Sequence, residues 1–133
     1  MVDSNTEQPQ FSSEWQNPGE RDLADIPSVE VISRAAVMLL SASAERLGLA
    51  DDDPENSPYR DLDEARRLIT ALAGLVTSSA EYLGAHAGPL REGLQSLQRA
   101  FREASVVPDE PGQGPGEKYT GRVPARPAND SGA

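Results

Sequence analysis

Between residues 62 and 83 the apolar side chains recur in alternating steps of three and four: Leu62, Ala65, Ile69, Leu72, Val76, Ser79 and Leu83. An α-helix turns once in about 3.6 residues, so these positions share one side of it. A half-buried strand would need alternation at every second position. The pattern is the seam of a helix packed lengthwise on another helix, and Leu68 and Leu75 widen it. Asp61 stands where an N-cap belongs, Glu64 three residues on would complete a capping box, and Gly84 closes the run. The spacing therefore predicts a helix over Leu62–Leu83.

A partner follows at once. Leu90, Leu94, Leu97, Phe101 and Ala104 again step by fours and threes after Gly88-Pro89, and proline is tolerated in a helix's first turn. The short link Gly84–Gly88 makes the two helices antiparallel neighbours. A further helix is predicted ahead of them, Val29–Leu47, with Ser28 as N-cap, Glu30 in the first turn and Gly48 at the left-handed C′ position. Its apolar residues cover more than one face. Such a helix is expected at the centre of its fold or under a partner. The expected fold is all-α, a three-helix antiparallel bundle of a long first helix plus an αα-hairpin, with Leu39, Leu40, Ile69, Leu72, Val76, Leu94, Leu97 and Phe101 in the core.

The flanks read differently. Residues 1–26 are polar, acidic and broken by Pro and Gly, and are expected to be a disordered arm with at most a helical turn near Glu20–Ile26. Residues 27–107 form the helical domain. Residues 108–133 are Pro/Gly-rich and are read as a flexible tail that cannot make a core of its own.

Net charge is −10, with −5 on residues 1–28, −4 on residues 29–107 and −1 on residues 108–133. An acidic chain repels phosphate backbones and anionic lipid, so direct nucleic-acid binding and membrane adsorption are not expected. With no Cys there is no disulfide or thiolate metal site. MVDSNTEQPQ lacks the basic-then-apolar order of a signal peptide, and the longest apolar run, Ala35–Leu40, falls far short of the roughly 20 residues of a membrane span. The expected location is the cytoplasm.

Candidate sites are few. Asp51, Asp53 and Glu55 fall at the first, third and fifth places of a calcium loop, but the sixth is Asn56 and the twelfth Leu62, which favours a solvated acidic loop. Gly112, Gly114, Gly116 and Lys118 resemble a phosphate loop in composition only. His86, the only histidine, lies in the turn between helices, and a triad with Ser78 or Ser79 lacks a nameable acid and oxyanion hole. No cofactor or metal is expected. Thr70, Gly74 and Ser78, four apart, would admit a close neighbour: the first helix of the same chain, or a second copy across a dimer seam. Arg91, Gln95, Gln98 and Arg102, with Arg99 beside them, form a polar stripe that is either a solvated face or a grip for an acidic partner. Tyr119 with Lys118 and Arg122 is either part of an idle tail or a peptide that folds onto a partner.

The stretches VEVISRAAVMLLSASAERLGL, DLDEARRLITALAGLVTSSAEYLG and GPLREGLQSLQRAFREAS resemble a bacterial family known as domain of unknown function 1844, and VPDEPGQGPGEKYTG resembles the ending of one of its branches. The likeness spans residues 22–122. Its motifs are helix-packing patterns and bring no catalytic or binding residues with them. The family's Lys-Thr-x-Gly-Asn-Leu stretch is replaced here by TSSAEYLGAHAG. Genes of this branch can lie beside translation-initiation and ribosomal-protein genes, so the resemblance implies a link to translation. The sequence thus favours a non-enzymatic cytoplasmic interaction protein, dimeric, that docks a protein partner through its first helix or its tail, with Lys118, Tyr119, Arg122, Arg91 and Arg102 as contact candidates. The competing reading is a small-molecule-binding or enzymatic helical module.

Overall fold

The computed structural model describes residues 23–124. Three long helices carry the fold: α1 (Ser28–Arg46), α2 (Leu62–Leu83) and α3 (Ala87–Ala104), followed by a one-turn helix α4 (Glu117–Thr120). Among the described residues there is no strand.

Residues 23–31 belong to a small separate unit. It holds a 3-10 turn, Leu23–Asp25, and the start of α1, where the Pro27 carbonyl accepts from the Glu30 N–H at 2.9 Å. The arm's residues 1–22 and the tail's residues 125–133 lie outside the described residues.

From Ile32 onward the elements form the second unit. α2 is its central helix. Ala65, Ile69, Leu72, Ala73, Val76, Ser79 and Leu83 are all buried, and their main neighbour is α3, which buries Leu90, Leu94, Leu97, Gln98 and Phe101. Fully burying one such aliphatic side chain is worth about 1.5–3 kcal/mol, so the hairpin carries most of the apolar stabilisation. The 3-10 turn Gly84–His86 runs directly into α3, leaving Pro89 in the first turn, where its missing N–H has no intrahelical partner to lose.

α1 is less central than its composition suggests. Within it only Ala36 and Ser43 are buried, and Leu47 follows just past its end. Leu39 and Leu40, expected in the core, are only half-buried, while Val37 and Met38 are more than half exposed. The contacts of α1 with α2 and α3 are sparse, and where it meets α3 the neighbour is a glycine. A β-carbon at Gly93 of α3 would lie 2.7 Å from Leu40 Cδ1, and the buried Ser43 hydroxyl turns back to the Leu39 carbonyl at 2.7 Å.

The helix ends follow their caps. Gly48, at φ +81°, ends α1 in a Schellman turn: Leu49 N–H reaches the Ala44 carbonyl and Gly48 N–H the Glu45 carbonyl, each at 3.0 Å. The Asp61 carboxylate caps α2 by accepting from Glu64 N–H at 3.2 Å. The reciprocal half of the capping box is not made. Asp61 N–H instead donates to the Arg46 carbonyl at 2.7 Å, tying the start of α2 to the end of α1, and Glu64 pairs with Arg67 at 2.7 Å.

Candidate functional site

Composition gave residues 108–133 as a flexible tail, yet residues 108–124 lie folded against α2 and α3. Three residues the composition could not weigh hold the segment there. Gly116 sits at φ +78°, and a β-carbon on it would come within 2.6 Å of Ala73 Cβ and 3.3 Å of Gln98 Nε2. Only glycine lets the backbone come this close to α2. Gln98, only 2% exposed, donates from Nε2 to the Pro115 carbonyl at 3.1 Å and to Thr120 Oγ1 at 3.2 Å. Glu117, also buried, accepts from Gly114 N–H through Oε1 and from Val123 N–H through Oε2, both at 2.8 Å. A carboxylate bonded to two backbone N–H groups makes charge-assisted bonds, the stronger kind, and here they close the segment into a compact loop.

The segment is also fastened at its start. Arg66 of α2 reaches both oxygens of Asp109, at 3.2 and 3.1 Å, and its guanidinium lies 4.9 Å from the centre of the Phe101 ring. Arg102 donates to the Asp109 carbonyl at 2.9 Å. Further along, the Tyr119 ring covers Gly74, 3.4 Å from where a β-carbon would sit. The small residue at Gly74 therefore receives a ring from the tail. This is neither of the two neighbours considered for the Thr70–Gly74–Ser78 stripe.

The five contact candidates separate into two groups. Arg102 is engaged with Asp109, and Lys118 stands 5.2 Å from the centre of the Tyr119 ring. Tyr119, Arg122 and Arg91 line one cavity of about 270 Å3 between α2, α3 and the segment, together with Thr77 and Gln95. No Asp or Glu lines it. Gln98 also reaches this cavity, and its Oε1 is buried without a hydrogen-bond partner. The polar stripe on α3 is thus only partly a solvated face, since Gln98 lies beneath the segment. Its spacing carried a signal: Gln98 follows Leu94 by four residues and so falls on the apolar side of α3. Gly116 and Glu117 carried none beyond composition.

The remaining candidates are not assembled into sites. His86 is exposed in its turn, while Ser78 and Ser79 both donate to the Leu75 carbonyl of their own helix. In the acidic loop Asp53 accepts from Asn56 at 2.6 Å, and among the described residues no group of three or more metal-ligating side chains gathers. The Gly-rich stretch follows no strand, and its Gly114 N–H is taken by Glu117. One stretch within Leu62–Ala104 is long and apolar enough by composition to cross a membrane, but its apolar seam is what α2 and α3 bury against each other.

Comparison with curated proteins and with solved structures returns no match. A family model described as "Domain of unknown function (DUF1844)" matches residues 28–103, from the first residue of α1 almost to the end of α3, and leaves the docked segment outside it. The match covers more than half of the chain, and the chain belongs to the DUF1844 family.

Proposed function

We propose that the protein is a non-enzymatic interaction module that docks a protein partner on the face where the C-terminal segment crosses α2 and α3. One observation carries this reading: Tyr119, 46% exposed, stands at the edge of a cavity that also holds Arg91 and Arg122. Tyrosine and arginine beside a cavity are the residue types that dominate binding energy at protein interfaces. An enzymatic module would need a nucleophile beside a base, and the exposed His86, with Ser78 and Ser79 bonded back to their own helix, gives it little support.

The partner is sought in the cytoplasm among proteins of the translation apparatus, in keeping with the kinship. Net charge −10 favours a protein there over bare RNA. Dimerisation belongs to the same proposal, and the more than half exposed Val37 and Met38 of α1 support it. Light scattering of the purified chain checks that part.

The test is affinity capture from lysate with the full chain and with Tyr119→Ala. A partner recovered by the wild type and lost with the variant supports the docking face. Equal recovery by both, or recovery of nothing, overturns it.

A further inference from the structure

Seven cations stand on α2, α3 and the docked segment: Arg66, Arg67, Arg91, Arg99, Arg102, Lys118 and Arg122. Five are engaged within the chain. Arg66 pairs with Asp109 and Arg67 with Glu64; Arg99 donates to the Pro124 carbonyl and Arg102 to the Asp109 carbonyl; Lys118 lies over Tyr119. Arg91 and Arg122 have no such partner among the described residues, and both line the same cavity. The chain has 22 acidic residues against 12 basic ones, yet that lining contains no carboxylate. Two arginines from separate elements, with Gln95 and Thr77 beside them, line a recess free of carboxylates on an acidic protein.

Size decides what fits. About 270 Å3 lies below the range of roughly 300–1,000 Å3 typical of small-molecule pockets, so the recess suits one side chain better than a nucleotide. Its chemistry suits a carboxylate, which a guanidinium grips with two parallel N–H bonds. We infer that the cavity receives a carboxylate side chain from an acidic segment of the partner, held between Arg91 and Arg122, with the rest of that segment crossing Tyr119. This rests on the docking face proposed above and names the chemistry it recognises. A nucleic acid would need a row of cations for successive phosphates, and the other cations on this face are engaged.

The test uses the full chain and fluorescence anisotropy with a labelled, short Glu-rich peptide. The controls are the same peptide with Gln for Glu and a single-stranded oligonucleotide of similar length. The Glu peptide is expected to bind, to weaken with added salt, and to weaken on the order of tenfold with Arg91→Glu or with Arg122→Glu. Both side chains are exposed, so the variants should keep the wild-type circular dichroism. Should one fail to fold, the corresponding Gln substitution is expected to give the same loss. Equal binding of the Glu and Gln peptides, indifference to both substitutions, or tighter binding of the oligonucleotide would each overturn the assignment. If lysate capture depends on Tyr119 while the Glu peptide does not bind, the carboxylate assignment fails and the docking face stands. If the Glu peptide binds through both arginines while capture ignores Tyr119, the recess stands and the wider docking face fails.

Discussion

The Tyr119 ring rests on Gly74 of α2, its Cε2 and Cζ each 3.4 Å from the position a β-carbon would take. Alanine's β-carbon would stand in ordinary contact with the ring, but any side chain longer than alanine's competes with it. Gly74→Leu is expected to lift Tyr119 from α2 while improving the intrinsic helix propensity of α2 by close to 1 kcal/mol. Hydrogen exchange should then show faster exchange over residues 117–121 with α2 itself unchanged. Unaltered exchange across the segment would mean the ring adds nothing to its docking.

Gly116 makes the closest backbone approach of the segment. Gly116→Ala combines a left-handed backbone, worth roughly 1–2 kcal/mol against an L-residue, with a β-carbon 2.6 Å from Ala73 Cβ. The segment should detach as a unit. Limited proteolysis is expected to cut it between α3 and Gly121 far faster than in the wild type, leaving the α2–α3 hairpin intact.

Glu117 holds the loop closed through two backbone N–H groups. A glutamine can accept one of those bonds but presents an amide N–H to the other donor. Glu117→Gln is expected to cost the segment about 1–3 kcal/mol. The Gly114 and Val123 amides should lose protection in an exchange experiment, and one of the two more than the other.

Leu72 and Met38 separate the central helix from the peripheral one. Leu72 is fully buried in α2, so Leu72→Ala is expected to cost about 2–5 kcal/mol in chemical denaturation. Met38 of α1 is 51% exposed, and Met38→Ala should cost well under about 1 kcal/mol. Similar losses at the two positions would contradict the arrangement.

Two glycines should respond with opposite signs. Gly48→Ala meets a left-handed φ and the Pro54 carbonyl oxygen 2.6 Å away, so it should destabilise by at least about 1–2 kcal/mol. At Gly88, in the first turn of α3, a β-carbon meets nothing within 4 Å, and Gly88→Ala should raise stability by roughly 0.4–1 kcal/mol. Thermal denaturation of the two variants reads both signs.

Helix limits were legible because their causes are local. Asp61, Gly48, Gly84 and Pro89 act within a turn of their own positions, and α2 spans the residues its seam predicted. The rank of α1 was not legible. Counting apolar residues shows that a helix can be buried, not how closely its neighbours come. Here Leu40 lies over Gly93 of α3, Ala36 and Ser43 are the buried residues of α1, and the bulkier Val37 and Met38 are left outside.

The candidate site was legible only in part. Arg91, Tyr119 and Arg122 were singled out from separate segments, and the fold brings them to one cavity. That they would meet was hidden, because the segment's seat depends on Gln98 reaching Pro115 and Arg66 reaching Asp109, partners 17 and 43 residues apart. Composition registers the prolines and glycines of such a segment and misses the few polar contacts that order it.

The docked segment buries Pro115, Gly116 and Glu117 but no large aliphatic side chain, and Tyr119 stays 46% exposed. Heat capacity of unfolding scales with the apolar surface exposed. Releasing this segment should therefore leave a much smaller calorimetric trace than unfolding the helices, and its opening and closing would proceed beneath the main melting transition.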